Sequence, residues 1–193
     1  MAIHDSSPRD REKIKHKEQD FYQTPKKAVE ILLYHLKNNN WKPENKVLDP
    51  CCGERVISNV IGSYFKNVGF FDLYPKEYHI PKIDFLKCMR LKYDLIVMNP
   101  PYSKKKEFID HALTIADDIF VFLPLQVMNY IDFTEGYLDS EQYIGQIIIY
   151  PKMILNETQN IKQGGITAYA WFHFSKFGRG SKYQVYYDIR KFK

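Results

Sequence analysis

Two kinds of hydrophobic pattern alternate along residues 20–125. Short apolar runs stand at 46–50 (KVLDP), 68–74 (VGFFDLY), 93–100 (YDLIVMNP) and 118–125 (DIFVFLPL), and each reads as a buried strand. Between them apolar residues recur at helical spacing. In QTPKKAVEILLYHLKNNN, Ala28, Ile31, Leu32, His35 and Leu36 share one face. Thr24 is placed as the N-cap, Pro25 at the first helical position, and Asn38–Asn40 end the helix. ERVISNVIGSYF (54–65) and KKEFIDHALTIAD (105–117) predict two more helices, and KIDFLKC (82–88) a turn or short strand edge. Strands alternating with helices build parallel βαβ units, hence a doubly wound α/β sheet.

Beyond residue 125 the pattern changes. YIGQIIIYP (143–151), TAYAWFHF (167–174) and YQVYYDI (183–189) are strand-like with no helix between them. They predict an antiparallel edge on a mostly parallel, seven-stranded sheet. Residues 1–19 are polar and aperiodic, and are expected to form a flexible arm. Residues 20–193 are expected to form a single domain, without a sizeable target-recognition domain.

Composition changes this picture little. A chain of 193 residues, 45% of them hydrophobic, is long enough for a real core. No apolar run approaches the roughly 20 residues that span a bilayer, and the start of the chain lacks the apolar stretch of a secretory signal, so a cytoplasmic protein is expected. Cys51, Cys52 and Cys88 have no zinc-ligand spacing and read as reduced packing residues. Charge is more informative. The net charge is +5, and residues 151–193 alone carry eight basic and two acidic side chains. A basic final third suits a polyanion, although an ordinary solvated face has the same composition. The 15 Tyr and 13 Phe supply either stacking groups or core.

The candidate chemistry lies where the strands end, since ligands bind at the carboxyl edge of such sheets. The first strand ends in Asp49, followed by Pro50, Cys51, Cys52, Gly53 and Glu54. The second ends in Asp72, about twenty residues on, well placed for two ribose hydroxyls. Asp84 could accept from an exocyclic amine while Phe85 lies on a ring. The strand over 93–100 runs into Asn99-Pro100-Pro101-Tyr102, which is either a turn or a pocket gripping a planar amide or amine. Lys104, Lys105 and Lys106 follow, as a solvated helix start or as phosphate contacts. Singly each signal is weak; in this order they describe a nucleoside cofactor across the sheet edge, with Asn99 beside its reactive end.

Here the chain resembles the class I S-adenosylmethionine-dependent methyltransferases, in particular the phage and bacterial DNA adenine-N6 enzymes. The resemblance rests on Asp-Phe-Tyr-Gln-Thr-Pro (20–25), Asp-Pro-Cys-Cys-Gly (49–53), Asp72, Asp84-Phe85, Asn-Pro-Pro-Tyr (99–102) and Ala-Tyr-Ala-Trp-Phe (168–172). It implies a Rossmann-like fold, S-adenosyl-L-methionine as cofactor and DNA as partner. It also implies roles. Phe21, Tyr22, Thr24 and Pro25 would border the methionine end of the cofactor, although a helix cap with an aromatic staple fits them equally well. Asp49, Pro50, Cys51 and Gly53 would face the cofactor, Asp72 its ribose, and Asp84 and Phe85 its adenine. Asn99, Pro100, Pro101 and Tyr102 would form the catalytic tetrapeptide.

The chemistry gives the tetrapeptide a reason. An aromatic amine is a poor nucleophile because its lone pair is delocalised. Hydrogen bonds to the Asn99 side-chain oxygen and the Pro100 carbonyl would localise that pair, and proline holds its carbonyl in advance. Tyr102 would stack on the target ring. A base in duplex DNA would first have to be flipped out. The chain departs from the pattern at Arg55, where the family usually has a further glycine, and it has no aromatic in 152–166 to stack on the base's other face. Loose sequence specificity, or a protein partner for target recognition, is therefore expected. An RNA adenine-N6 enzyme, a protein-glutamine enzyme and a non-catalytic nucleic-acid-binding subunit are the alternatives.

Overall fold

A computed structural model describes residues 23–89, 91–130, 136–137 and 168–176, and the backbone of 144–149. In chain order the elements are α1 (Lys26–Asn38), β1 (Lys46–Asp49), α2 (Val56–Ile61), β2 (Asn67–Phe70), β3 (Leu95–Met98), α3 (Lys105–Ile115), β4 (Asp118–Pro124), β5 (Ile144–Ile149) and β6 (Tyr169–Ser175). The described strands form a six-stranded sheet in the order β2-β1-β3-β4-β6-β5. The β2–β1, β1–β3 and β3–β4 pairs are parallel, and β6 pairs antiparallel with both β4 and β5. This is the mostly parallel α/β sheet with an antiparallel edge that the sequence predicts. Beyond β2 a lone parallel bridge, Asp72 to Lys82, occupies the next strand position, so the 82–88 stretch contributes a strand edge only. The predicted strand at 183–189, the arm at 1–19 and most of the basic final third lie outside the described residues.

Period-2 alternation sorts the strand residues onto two faces. Val47, Leu95, Val97, Phe120, Phe122 and Trp171 pack with Ala28, Leu32 and Leu36 of α1 and with Ile57 and Ile61 of α2. Leu48, Ile96, Met98, Ile119, Val121 and Phe172 pack with Phe108, Ile109, Ala112 and Leu113 of α3. Buried on both faces, β3 and β4 had to be continuous apolar runs, which is why they stand out in the sequence. Among the described residues no helix is long and apolar enough to cross a membrane.

Three element boundaries differ from expectation. The 54–65 helix is only Val56–Ile61, and the 68–74 strand stops at Phe70. Thr24 does not cap α1. Pro25 is the flanking residue, in extended geometry, and no side chain caps the helix start. Thr24 is buried and its hydroxyl is engaged elsewhere.

Trp171 ties the sheet to this helix start. Its ring is fully buried and its indole N–H donates to the Ala28 carbonyl at 3.0 Å. The first turn of α1 is thereby held over β6, and with it the segment carrying Gln23 and Thr24.

Candidate active site

Three polar residues stand at or just past the ends of the parallel strands: Asp49 at the end of β1, Asp72 after β2 and Asn99 after β3. Asp49 closes β1. Its side chain is fully buried, and one carboxylate oxygen accepts the Ser58 amide at 3.1 Å. The other oxygen, Oδ1, has no hydrogen-bond partner among the described residues. Burial pushes the acid up to about 7; the Ser58 amide opposes that shift and the nearby Asp72 charge adds to it.

The loop after Asp49 turns sharply. Gly53 has a φ of 50° and Arg55 a φ of 63°, so both occupy the left-handed region. The Gly53 amide donates to Asp72 Oδ2 at 2.8 Å, and Tyr74 donates to Asp72 Oδ1 at 2.8 Å. Asp72 thus clasps the loop from the end of the neighbouring strand. A carboxylate has about four lone-pair sites, so two backbone bonds leave acceptor capacity for a ligand's hydroxyls. Glu54 reaches to Gln23 and to Lys76, the latter at 2.7 Å.

Arg55 turns away along the sheet edge. Its guanidinium lies over the Phe70 ring at 3.8 Å and meets His79 Nε2 at 3.1 Å. The backbone keeps the conformation a glycine would adopt, and the long side chain lies flat on β2.

Asn99 follows β3. Its carboxamide nitrogen donates to Thr24 Oγ1 at 3.0 Å, across 75 residues of sequence. Its backbone carbonyl accepts from the Cys51 thiol at 3.4 Å. Cys51, expected as a packing residue and a lining residue, therefore also fastens the end of β3 to the β1 loop. Its thiol is pushed well above the usual range by burial and by the Asp49 and Asp72 charges, and burial takes Cys52 up to about 12. Both shifts disfavour the thiolate, the nucleophilic form. Pro100 is buried and Pro101 half-buried. Tyr102 opens a one-turn 3-10 helix, Tyr102–Lys104, and is half-buried, with its ring 6.2 Å from that of Tyr169 on β6. Tyr169 in turn stacks on Phe122 at 5.2 Å.

Asp84 and Phe85 are placed differently from each other. Asp84 Oδ1 accepts from the Leu86 amide at 3.2 Å and its Oδ2 pairs with Lys87 at 3.4 Å, so the carboxylate caps the short 3-10 turn Phe85–Lys87. Phe85 is only 2% exposed, packed among Phe71, Phe108 and His111. The expectation that its ring lies open for a cofactor ring is corrected: the turn directs it into the core, where aromatic burial is most favourable. Phe21 and Tyr22 lie outside the described residues.

The structure thus bonds Thr24, Asn99 and Cys51 in one set and Gly53 with Asp72 in another, with the buried Asp49 at the end of β1, the strand between β2 and β3. Sequence reasoning missed the Thr24–Asn99 bond and the aromatic pair Tyr102–Tyr169. A buried threonine just before a helix, with a proline already starting that helix, is the one signal that the hydroxyl had another task.

No protein-family model matches the chain. Over 121 residues it is 27% identical to the release factor glutamine methyltransferase of Clostridium botulinum, covering 52% of this chain and 40% of that protein. The chain spans less than half the length of the curated relatives it matches. Among solved structures it superposes on a Listeria monocytogenes protein described as a class I S-adenosylmethionine-dependent methyltransferase. That match has a TM-score of 0.60 at 12% identity, over 91% of this chain and 69% of the other. It also superposes on the M protein of the type I restriction enzyme EcoKI, with a TM-score of 0.61 at 15% identity, over 80% of this chain and 44% of the other. The chain has the α/β Rossmann-like fold of the class I methyltransferases.

Proposed function

We propose that this chain transfers a methyl group from S-adenosyl-L-methionine to the exocyclic N6 amine of adenine in DNA. The observation that carries the reading is the Asn99 carboxamide, oriented at the end of β3 by its bond to Thr24 and followed by the fixed Pro100. That arrangement is suited to accepting two N–H bonds from one planar nitrogen.

The cofactor fits the residues present. Asp49 Oδ1 is a buried carboxylate oxygen without a partner among the described residues, and a cationic ligand would satisfy it. Asp49 and the Gly53 loop would hold the methionine end, with Asp72 on the ribose and Asp84 near the base. Arg55, lying flat on Phe70, leaves the loop its glycine-like backbone. S-adenosyl-L-methionine supplies a methyl group on a cationic sulfur that leaves as a neutral thioether. The chain's own work is positioning. Asn99 Oδ1 and the Pro100 carbonyl localise the amine's lone pair toward the methyl carbon, and Tyr102 packs on the target ring. With the cofactor bound, the amine held by Asn99 and Pro100 would take the methyl group and give up one N–H proton to water.

A nucleic-acid acceptor is supported by the basic balance of the chain and by its likeness to the EcoKI M protein. A second reading, a protein glutamine amide, is favoured by the sequence match to release factor glutamine methyltransferases. Radiolabelled methyl transfer from S-adenosyl-L-methionine to DNA, RNA and glutamine-containing protein separates them. Label in DNA as N6-methyladenine, lost in Asn99→Ala, is the expected result. Label confined to protein would replace the first reading with the second.

A further inference from the structure

Tyr130 is unusual for so large an apolar ring. It is 60% exposed, although it directly follows the 3-10 turn Leu125–Asn129 at the end of the buried strand β4. Its amide is tied to the Val127 carbonyl at 3.2 Å, so the residue is presented by an ordered turn. The Lys105 ammonium lies 5.5 Å from the ring centroid. Lys105 is the first residue of α3 and stands three positions after Tyr102. Because β3 and β4 are parallel neighbours, the segments leaving their carboxyl ends emerge side by side. An aromatic platform and a cation, from two different elements, therefore meet beside the Asn99–Tyr102 loop.

Positive charge predominates at this helix start, with three lysines in sequence against Glu107 in the same turn. Lys104 is exposed and Lys105 half-buried, whereas Lys106 is matched by Asp110 at 2.6 Å. A flat π-surface next to unneutralised ammonium groups matches a nucleotide: a base on the ring, its phosphate on the lysines. A peptide carrying a neutral glutamine needs neither.

We propose that Tyr130 and Lys105 form a docking site for a single-stranded nucleic-acid segment flanking the target base, with Tyr130 stacking one unpaired base and Lys104 and Lys105 holding the adjoining phosphates. This rests on the nucleic-acid reading above and adds the state of the substrate: the strand is unpaired where it meets the enzyme. It also gives the chain a stacking surface that the 152–166 sequence does not supply.

The test is fluorescence anisotropy of a labelled single-stranded DNA oligonucleotide and its RNA counterpart, titrated with the full-length chain across a salt series. Loss of one stacked base weakens binding by about 5- to 150-fold, so Tyr130→Ala is expected to fall in that range with its salt slope unchanged. Tyr130→Trp is expected to bind at wild-type strength or better. Lys105→Gln is expected to flatten the slope of log K against log salt by about 0.7. If a strand binds the wild type and Tyr130→Ala equally, the docking site is wrong while the methyltransferase reading stands. If neither strand binds the wild type, the nucleic-acid reading fails and this site falls with it.

Discussion

The Asn99 carboxamide nitrogen and the Thr24 hydroxyl are 3.0 Å apart, and this bond joins the end of a central strand to the segment before the first helix. It holds the carboxamide plane with the nitrogen toward Thr24 and the oxygen on the opposite side. Thr24→Val keeps the shape but removes the acceptor. The expected outcome is a fall in kcat of about 10- to 100-fold, the scale set by misplacing a reacting group by an ångström, with the Kd for S-adenosyl-L-methionine nearly unchanged. Asn99→Ala should abolish turnover. Steady-state kinetics beside calorimetric titration separates the two parameters, and an unchanged kcat in Thr24→Val would remove the orienting role.

If the cationic end of the cofactor rests on Asp49 as proposed, its binding depends on pH. Its acid is raised to about 7, and a bound cation would lower it again by favouring the carboxylate. Affinity is then expected to rise with pH through about 7. Binding at pH 6 should be about tenfold weaker than at pH 8, with proton release on binding near neutrality. Titrations in two buffers of different ionisation enthalpy would reveal that proton. A pH-independent Kd would mean the cofactor makes no use of Asp49.

The same acid sets a stability trend. Between about pH 4 and 7 the folded chain keeps a proton the unfolded chain has lost, so stability falls as pH rises across that window and levels off above it. At 1.36 kcal/mol per unit the total is on the order of 4 kcal/mol. Asp49→Asn keeps an acceptor for the Ser58 amide and removes the charge. Urea denaturation should show it more stable than the wild type at pH 8, with the two converging near pH 4.

Arg55 carries a testable balance of two terms. A side chain in the left-handed region costs about 1–2 kcal/mol, and a half-buried cation–π contact recovers on the order of 1 kcal/mol. Arg55→Gly removes both and should lie within about 1 kcal/mol of the wild type. Arg55→Ala keeps the positive φ, loses the Phe70 contact, and should be destabilised by about 1 kcal/mol. Denaturation midpoints decide this; an alanine variant as stable as the glycine one would contradict it.

The sequence made the parallel half legible because β1, β3 and β4 are buried on both faces and leave uninterrupted apolar runs ending in Asp49, Asn99 and Pro124. Strand order beyond β4 was not legible. β6 inserts between β4 and β5, a pairing between distant residues that leaves no local trace. Within the site, residue type pointed to Asp49, Gly53, Asp72 and Asn99, which the structure puts along the ends of β1, β2 and β3. It could not show that Phe85 turns inward or that Thr24 serves Asn99 in place of its own helix. It could not show where the Arg55 side chain lies either. Each is settled by a side-chain direction, which spacing alone does not encode.

Thr24, Ala28, Asn99 and Trp171 lie in stretches far apart along the chain, yet the first two must be seated by the last two before the amide is oriented. Such non-local contacts form late, because each closes a long loop. A chain with its central strands paired but its first helix undocked would hold Asn99 without a defined orientation. The proposed acceptor geometry is therefore expected to be complete only once the amino-proximal helix has docked on the sheet. A methyl-transfer assay run during refolding would report that last docking event, trailing the signals of sheet formation.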